Sequence, residues 1–418
     1  MASGMKRART REMGRAWAKD RLSDLPECLL SNEILPKISF RDAIRCSLLS
    51  RSWRFLWTKM PNLNFCCQDF ENQKDHSIQI IIENALFNHH APLHSFQLRI
   101  ALTDSRSHSW VGNWVHLAAL KHVKRITLEI SERNATTGKK KPHRLLLLQL
   151  GDSVFECESL AALKVNCCFL PKIPTNFGGF QSLKSCYWFY VPGLNDEIFL
   201  RLMELCPNLQ NLGVHACLHL KNLKINAANL RYLDVGFLMP GTSLEMVSPH
   251  LTEIKLQQYH LVQGLQLLKG VSRAESVKKI TLLNYGGVNQ KIPNFAVLER
   301  FPHLQELTIH GQCFQEMISV DKVPEGVTLQ HLNKVQIHIE PEMDEREVSL
   351  LGFLLKNYPI ISMRVFLPPR CSKIIQNKLL DLKKKFPEPN ISFHKIRWIP
   401  KCQKICQICD VTTSEESA

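Results

Sequence analysis

A six-residue spelling, L-x-x-L-x-L with Ile or Val substituting, recurs along this chain and limits its fold more than any other feature. It reads Val123-Ile126-Leu128, Leu160-Leu163-Val165, Leu209-Leu212-Val214, Leu220-Leu223-Ile225, Leu230-Leu233-Val235, Leu251-Ile254-Leu256, Val277-Ile280-Leu282, Leu304-Leu307-Ile309 and Leu332-Val335-Ile337, with Leu183-Cys186-Trp188 as a degenerate copy. From Leu230 to Leu332 the first positions step by 21, 26, 27 and 28 residues, which are solenoid periods. The last two apolar positions are two apart and share one side of a short strand, and the first turns into the same interior. One unit cannot bury that side alone, so neighbours must stack as parallel strands. The segment 196–206, with Ile198, Leu202 and Leu205 at helical spacing, is expected to cover the convex side. Unrelated strands of a mixed α/β domain are the plainer alternative, because period-two strands are common.

The same pattern predicts which residues face outward. Beside the final two apolar positions stand Tyr187 and Phe189, Tyr232 and Asp234, Glu253 and Lys255, Lys279 and Thr281, and Glu306 and Thr308. In a solenoid this face is concave, and its mixture of rings and charges suits protein recognition better than a nucleic-acid groove, where basic residues dominate. These ten residues are the candidate substrate contacts.

A different pattern occupies residues 20–57, DRLSDLPECLLSNEILPKISFRDAIRCSLLSRSWRFLW. Asp24 is placed to cap a helix with Pro26 in its first turn and Glu27 three residues on. Leu30, Ile34 and Ile38 recur every four residues; Asp42 can open a second helix carrying Ile44 and Leu48, and Ser50 a third carrying Trp53, Leu56 and Trp57. Three short helices in about forty residues lie near the lower limit for independent folding, so exposed apolar surface there calls for a partner or a neighbouring domain.

These residues resemble the F-box family in its plant form: DRLSDLP, RDAIRCSLLS and SRSWRFLW followed by Pro61-Asn62-Leu63. One departure stands out. The family pattern has two residues between the leucine of helix 1 and the next isoleucine, whereas this chain has Ser31, Asn32 and Glu33 between Leu30 and Ile34, and its Pro36 comes early. The resemblance implies docking to the Skp-type adaptor of a cullin-RING ubiquitin ligase through Leu25, Pro26, Leu30, Ile34, Ile38, Ile44 and Leu48, with Trp53, Leu56 and Trp57 packing the module. CPNLQNL at 206–212 and FPHLQEL at 301–307 look like phrases of plant F-box proteins with leucine-rich repeats. Residues 332–395 read as strand, acidic turn, amphipathic helix and strand, with Glu345 and Glu347 in the first turn and Val348, Leu351, Leu354 and Leu355 inward. That stretch resembles the FBD segment that ends many plant F-box proteins.

The expected fold class is therefore α/β: a three-helix module, a curved parallel-strand solenoid and an α/β cap. Its expected parts are a basic tail (1–19), the helical module (20–66), the repeats (67–331), the cap (332–395) and a C-terminal tail (396–418). The net charge of +15 splits unevenly. Lys6, Arg7, Arg9, Arg11, Arg15, Lys19 and Arg21 against Glu12 and Asp20 leave +5 in the first 21 residues. This tail has little to bury, and Lys6-Arg7-Ala8-Arg9 is either a nuclear-import patch or solvated chain. Fifteen scattered cysteines with no leading apolar segment fit a reducing nucleus or cytoplasm. No run is long and apolar enough to span a membrane, and Asn134-Ala135-Thr136 is read as a chance sequon.

Cys402, Cys406 and Cys409 have the spacing of thiolates that hold an iron–sulfur cluster in radical-SAM enzymes. They lie beside the polar VTTSEESA instead of early in a barrel, so they read as tail cysteines with no metal or cofactor; a zinc site with His394 as fourth ligand is the alternative, although its spacing matches no standard finger. GxSxG, HExxH, GxxxxGK[ST] and GxGxxG are missing, and no catalytic residue is assigned. The reading that results is a non-catalytic receptor subunit. The alternative is a scaffold or basic nucleic-acid-binding repeat protein outside any ligase.

Overall fold

The computed structural model describes residues 22, 24–70, 73–102, 108–132, 148–258, 266–272, 274–284, 295–311, 329–338, 345–367 and 371–395. The two tails and the cysteines at 402, 406 and 409 lie outside the described residues. The chain divides into two compact units, Met1–Gly193 and Leu194–Ala418.

In the first unit the repeats form strands β1 (Asn62–Cys66), β2 (Ser95–Leu102), β3 (Arg125–Glu132), β5 (Ala162–Asn166) and β7 (Ser185–Phe189), each parallel to the next. The paired inward positions, Leu63 and Phe65, Phe96 and Leu98, Ile126 and Leu128, Leu163 and Val165, Cys186 and Trp188, are all buried. Two short strands, β4 (Leu148–Gln149) and β6 (Cys168–Phe169), pair separately. Leu183-Cys186-Trp188 is thus in register despite its spelling, with Tyr187 and Phe189 on the outward side.

The second unit continues with β8 (Asn211–His215), β10 (Tyr232–Gly236), β12 (Glu253–Gln258), β14 (Lys279–Asn284), β15 (Glu306–Gly311), β16 (Lys334–His338), β17 (Ser362–Leu367) and β18 (Asn390–Lys395), again all parallel. One carbonyl per turn ties repeat to repeat by accepting two successive N–H groups from the next: Gln210 from Arg231 and Tyr232, Arg231 from Thr252 and Glu253, Thr252 from Lys278 and Lys279, and so on to Asn333. This ladder satisfies the backbone at each strand entry, where the chain has not yet joined the sheet.

Three expectations are corrected. First, Leu220-Leu223-Ile225 does not join the main strands. It forms β9 (Asn222–Asn226), which pairs with β11 (Ser243–Val247) and then β13 (Val271–Ser272) in a second sheet. The short steps around it arise because one repeat there contributes a strand to each sheet. Gly270 makes the packing possible, since a Cβ at that position would lie 1.5 Å from the Leu244 carbonyl oxygen. Second, the repeats extend beyond the strict spelling: Met60-Leu63-Phe65, Leu93-Phe96-Leu98 and Ile360-Met363-Val365 hold the same buried positions. Third, residues 332–395 carry one element pair more than strand–helix–strand. Beyond β16, α5 (Glu345–Asn357) and β17 come α6 (Lys373–Lys385) and β18, and β16 pairs directly with β15. The expected helix after Asn195 is present as α4 (Asp196–Glu204), and Asp196 accepts hydrogen bonds from the Lys221 and Asn222 N–H groups at the start of β9.

The N-terminal module also differs from its caps as read. Pro26, not Asp24, holds the N-cap position of the first helix, with no side-chain cap. That helix runs α-helical over Glu27–Leu29, widens to a π turn over Leu30–Ile34 and tightens to 3₁₀ over Leu35–Lys37. A π turn is how a helix absorbs one extra residue without losing its axis, and it falls on Ser31-Asn32-Glu33. The second helix, α1 (Phe40–Cys46), is capped by Ser39, whose hydroxyl accepts from the Asp42 N–H at 3.1 Å, while Asp42 takes the third helical position. Residues 51–55 form turns rather than a helix begun by Ser50, and only Leu56–Lys59 is helical. Two further helices, α2 (Asp75–Asn88) and α3 (His108–Ala119), lie between β1 and β3.

Candidate functional site: an apolar module and an outward strand face

Leu30, Leu35, Ala43, Trp53, Leu56 and Met60 form the core of the module, with Ile34, Cys46 and Trp57 packed against it. Leu30 therefore faces inward and Ile34 is half-buried, which removes Leu30 from a docking surface. Ile44 is also half-buried. Leu25, Pro26 and Ile38 are exposed, and Leu48 is 85% exposed. The periodicity missed Leu22, Leu29, Leu49 and Phe55, which are exposed as well. Leu29 was legible as the neighbour of Leu30, but only the π turn decides which of the two points inward.

The module is anchored to the first repeat. Phe40 packs edge-on against Trp57 at 6.0 Å and against Phe65 of β1 at 4.5 Å. Asp69 accepts from the Arg41 N–H at 3.2 Å and from the Cys66 N–H at 2.9 Å, so one carboxylate holds the start of α1 and the end of β1. Buried His89 bonds the Met60 carbonyl oxygen at 2.6 Å, a geometry that requires the ring to donate. Burial, with the nearby Lys121 and His90, lowers its pKa and keeps it neutral.

The outward face of the second unit is a set of cross-strand rows. Tyr232, Glu253, Lys279, Glu306 and Lys334 stand side by side in register, and Lys279 pairs with Glu253 at 2.9 Å and Lys334 with Glu306 at 2.7 Å. In the next row Asp234, Lys255, Thr281 and Thr308 align. Asp234 is only 6% exposed. It meets His215 at 3.1 Å, Lys255 at 3.4 Å and the Gln257 amide at 3.0 Å. Burial favours its neutral acid, but the charges and hydrogen bonds of His215, Lys255 and Gln257 outweigh that and hold the carboxyl below its usual range. His215 fits because Gly236 faces it: a Cβ there would lie 2.3 Å from His215 Nδ1. Sequence reading placed Asp234 on a binding surface and gave it no link to His215. They form one buried cluster, which nothing short of the strand register reveals. In the first unit Glu129 is held between Arg99 at 3.3 Å and Lys164 at 2.7 Å, and Lys164 lies over the Phe189 ring at 5.5 Å.

Burial pushes the thiols of Cys167 to about 11 and of Cys168 and Cys206 to about 12, and among the described residues no cluster of His, Cys, Asp and Glu could hold a metal ion.

A family model described as the At1g61320/AtMIF1 LRR domain matches residues 86–389. The chain belongs to that leucine-rich-repeat family. It is also similar to curated proteins of Arabidopsis thaliana: 26% identical over 298 residues to F-box/LRR-repeat protein At3g26922, covering 70% of this chain and 90% of the relative; and 25% identical over 347 residues to FBD-associated F-box protein At5g38590, covering 81% and 76%. F-box/FBD/LRR-repeat protein At5g56420 is 29% identical over 244 residues, about half of each chain (55% and 54%). This leucine-rich-repeat protein thus has plant F-box and FBD relatives.

Proposed function

We propose that this chain is the substrate-recognition subunit of an Skp–cullin–F-box ubiquitin ligase. The observation that carries the reading is the module of residues 22–60: it bears the F-box spelling, exposes Leu25, Pro26, Leu29, Ile38, Leu48, Leu49 and Phe55, and is clamped to the first repeat through Phe40, Asp69 and His89. Exposed apolar surface of this density on so small a module calls for a partner, and the F-box resemblance supports the Skp-type adaptor as that partner. The repeats would hold a target protein. Catalysis then belongs to the partners, and the chain supplies proximity by raising the effective concentration of a substrate lysine beside a charged conjugating enzyme. Work in the nucleus or cytoplasm fits the free thiols found among the described residues, Cys28, Cys157 and Cys206 included.

Titrating the full chain with a plant Skp-type adaptor tests this. Leu25→Ala with Pro26→Ala should weaken binding strongly, since a buried anchor carries about 2 kcal/mol or more. Equal affinity of wild type and double variant would remove the assignment. Salt-sensitive nucleic-acid binding with no adaptor affinity would instead favour a scaffold outside the ligase.

A further inference from the structure

The last three strands carry an outward face unlike the rest of the second unit. On β10 to β15 each outward acid is matched by a cation: Asp234 by Lys255, Glu253 by Lys279, and Glu306 by Lys334. Those rows are closed to an incoming charge, because a ligand must first break an existing pair. No outward position of β16, β17 or β18 is acidic. Gln336, Arg364 and Ser392 align in one row, and His338, Phe366 and His394 in the next. Arg364 is exposed and has no ion pair among the described residues.

The rings define what this face can take. His338 and Phe366 stack at 4.1 Å with planes 6° apart, and Phe366 and His394 at 5.1 Å with planes 27° apart. Both faces of Phe366 are thus covered by its neighbours, and a nucleobase has no free face of that ring on which to stack. Ring edges remain, and these carry the positive end of the quadrupole. Arg364 adds a planar fork of N–H donors suited to a carboxylate, and Gln336 adds an amide.

We propose that the outward face of β16–β18 binds an acidic segment of a protein partner, with Arg364 as its carboxylate-binding residue and the His338–Phe366–His394 stack as its edge. This rests on the receptor reading above and moves the contact from the predicted Tyr232–Lys255–Lys279 rows to the C-terminal strands.

The test uses the full chain and three fluorescent probes: an Asp/Glu-rich decapeptide, the same peptide with Asn/Gln replacing its acids, and a thymidine dodecamer. The acidic peptide should bind at least about tenfold tighter than its amide twin. Arg364→Glu should abolish that preference and Arg364→Gln should reduce it about threefold. Lys279→Ala, in a row already paired, should change it less than about twofold. Equal affinity for the acidic and amide peptides, an unaffected Arg364→Glu variant, or dodecamer binding that depends on Arg364 would each overturn the proposal. Adaptor affinity measured on the same variants keeps the two readings apart. Arg364→Glu should leave it unchanged, and a chain that binds the acidic peptide but no adaptor would refute the ligase reading alone.

Discussion

Seven large apolar side chains lie exposed on the module of residues 22–60, and eleven are spread over all the described residues from 62 to 395. Both regions are built from similar amounts of Leu, Ile, Val and Phe. The difference is where neighbours come from. Each repeat strand finds the next strand beside it, so its inward pair is covered twice and its outward face can be polar. The module has only three short helical segments, and after Leu30, Leu35, Trp53, Leu56 and Met60 have filled its interior, no element of the module is left to cover Leu48 or Phe55. Solenoids cover their apolar surface by repetition; this module leaves some of it for another molecule.

The comparison breaks first at the module's interior. Trp53 is 3% exposed, and Trp53→Ala should cost about 3–5 kcal/mol, enough to unfold the module while β8 to β18 keep their protection. Hydrogen exchange resolved by segment would show residues 27–60 exchanging freely. Unchanged protection there would mean that Trp53 is not the keystone of the core. A smaller loss, about 1–3 kcal/mol, is expected for Gly236→Ala, which drives a methyl into His215 and opens the Asp234 cluster. The signature is a lower melting temperature with exchange rising at β8, β10 and β12 and the module unaffected.

The junction supplies a smaller effect. Folding lowers the pKa of His89, so its contribution is present above the unfolded value near 6.5 and is lost as pH falls through the lower folded value. Acidification from pH 7.5 to 5.5 should therefore loosen the contact between Met60 and α2 in exchange experiments. His89→Gln keeps an N–H donor but cannot titrate, and should abolish that pH dependence.

Much of the fold was legible in the sequence because inward strand positions are set by hydrophobicity alone. Where Leu, Ile or Val filled them, the strand could be read; where Met60, Phe96 or Met363 did, a stricter spelling passed over a real repeat. The second sheet was not legible, since Leu220-Leu223-Ile225 spells the same unit as its neighbours and only the ten-residue spacing marks the chain's return on the other side. Outward residues were placed on their correct side but not given their partners. Strand register decides that Lys279 meets Glu253 and that Gly236 makes room for His215, and register over a gap of 21 to 28 residues is a tertiary fact. The extra residue in the first helix could be counted but not located as a π turn, and so Leu30 was assigned to the surface that Leu29 occupies.

The central claim is that the apolar side chains left uncovered on the module are an adaptor's seat. Isothermal titration of a plant Skp-type adaptor into the full chain tests it most directly, with one charge placed in each region: Leu48→Glu on the module and Leu380→Glu on α6, both exposed positions where the fold should change by no more than about 0.5 kcal/mol. The expected result is a loss of about 2 kcal/mol or more, roughly thirtyfold in affinity, for Leu48→Glu, with Leu380→Glu matching wild type. Wild-type affinity in Leu48→Glu, or equal losses in both variants, would contradict it.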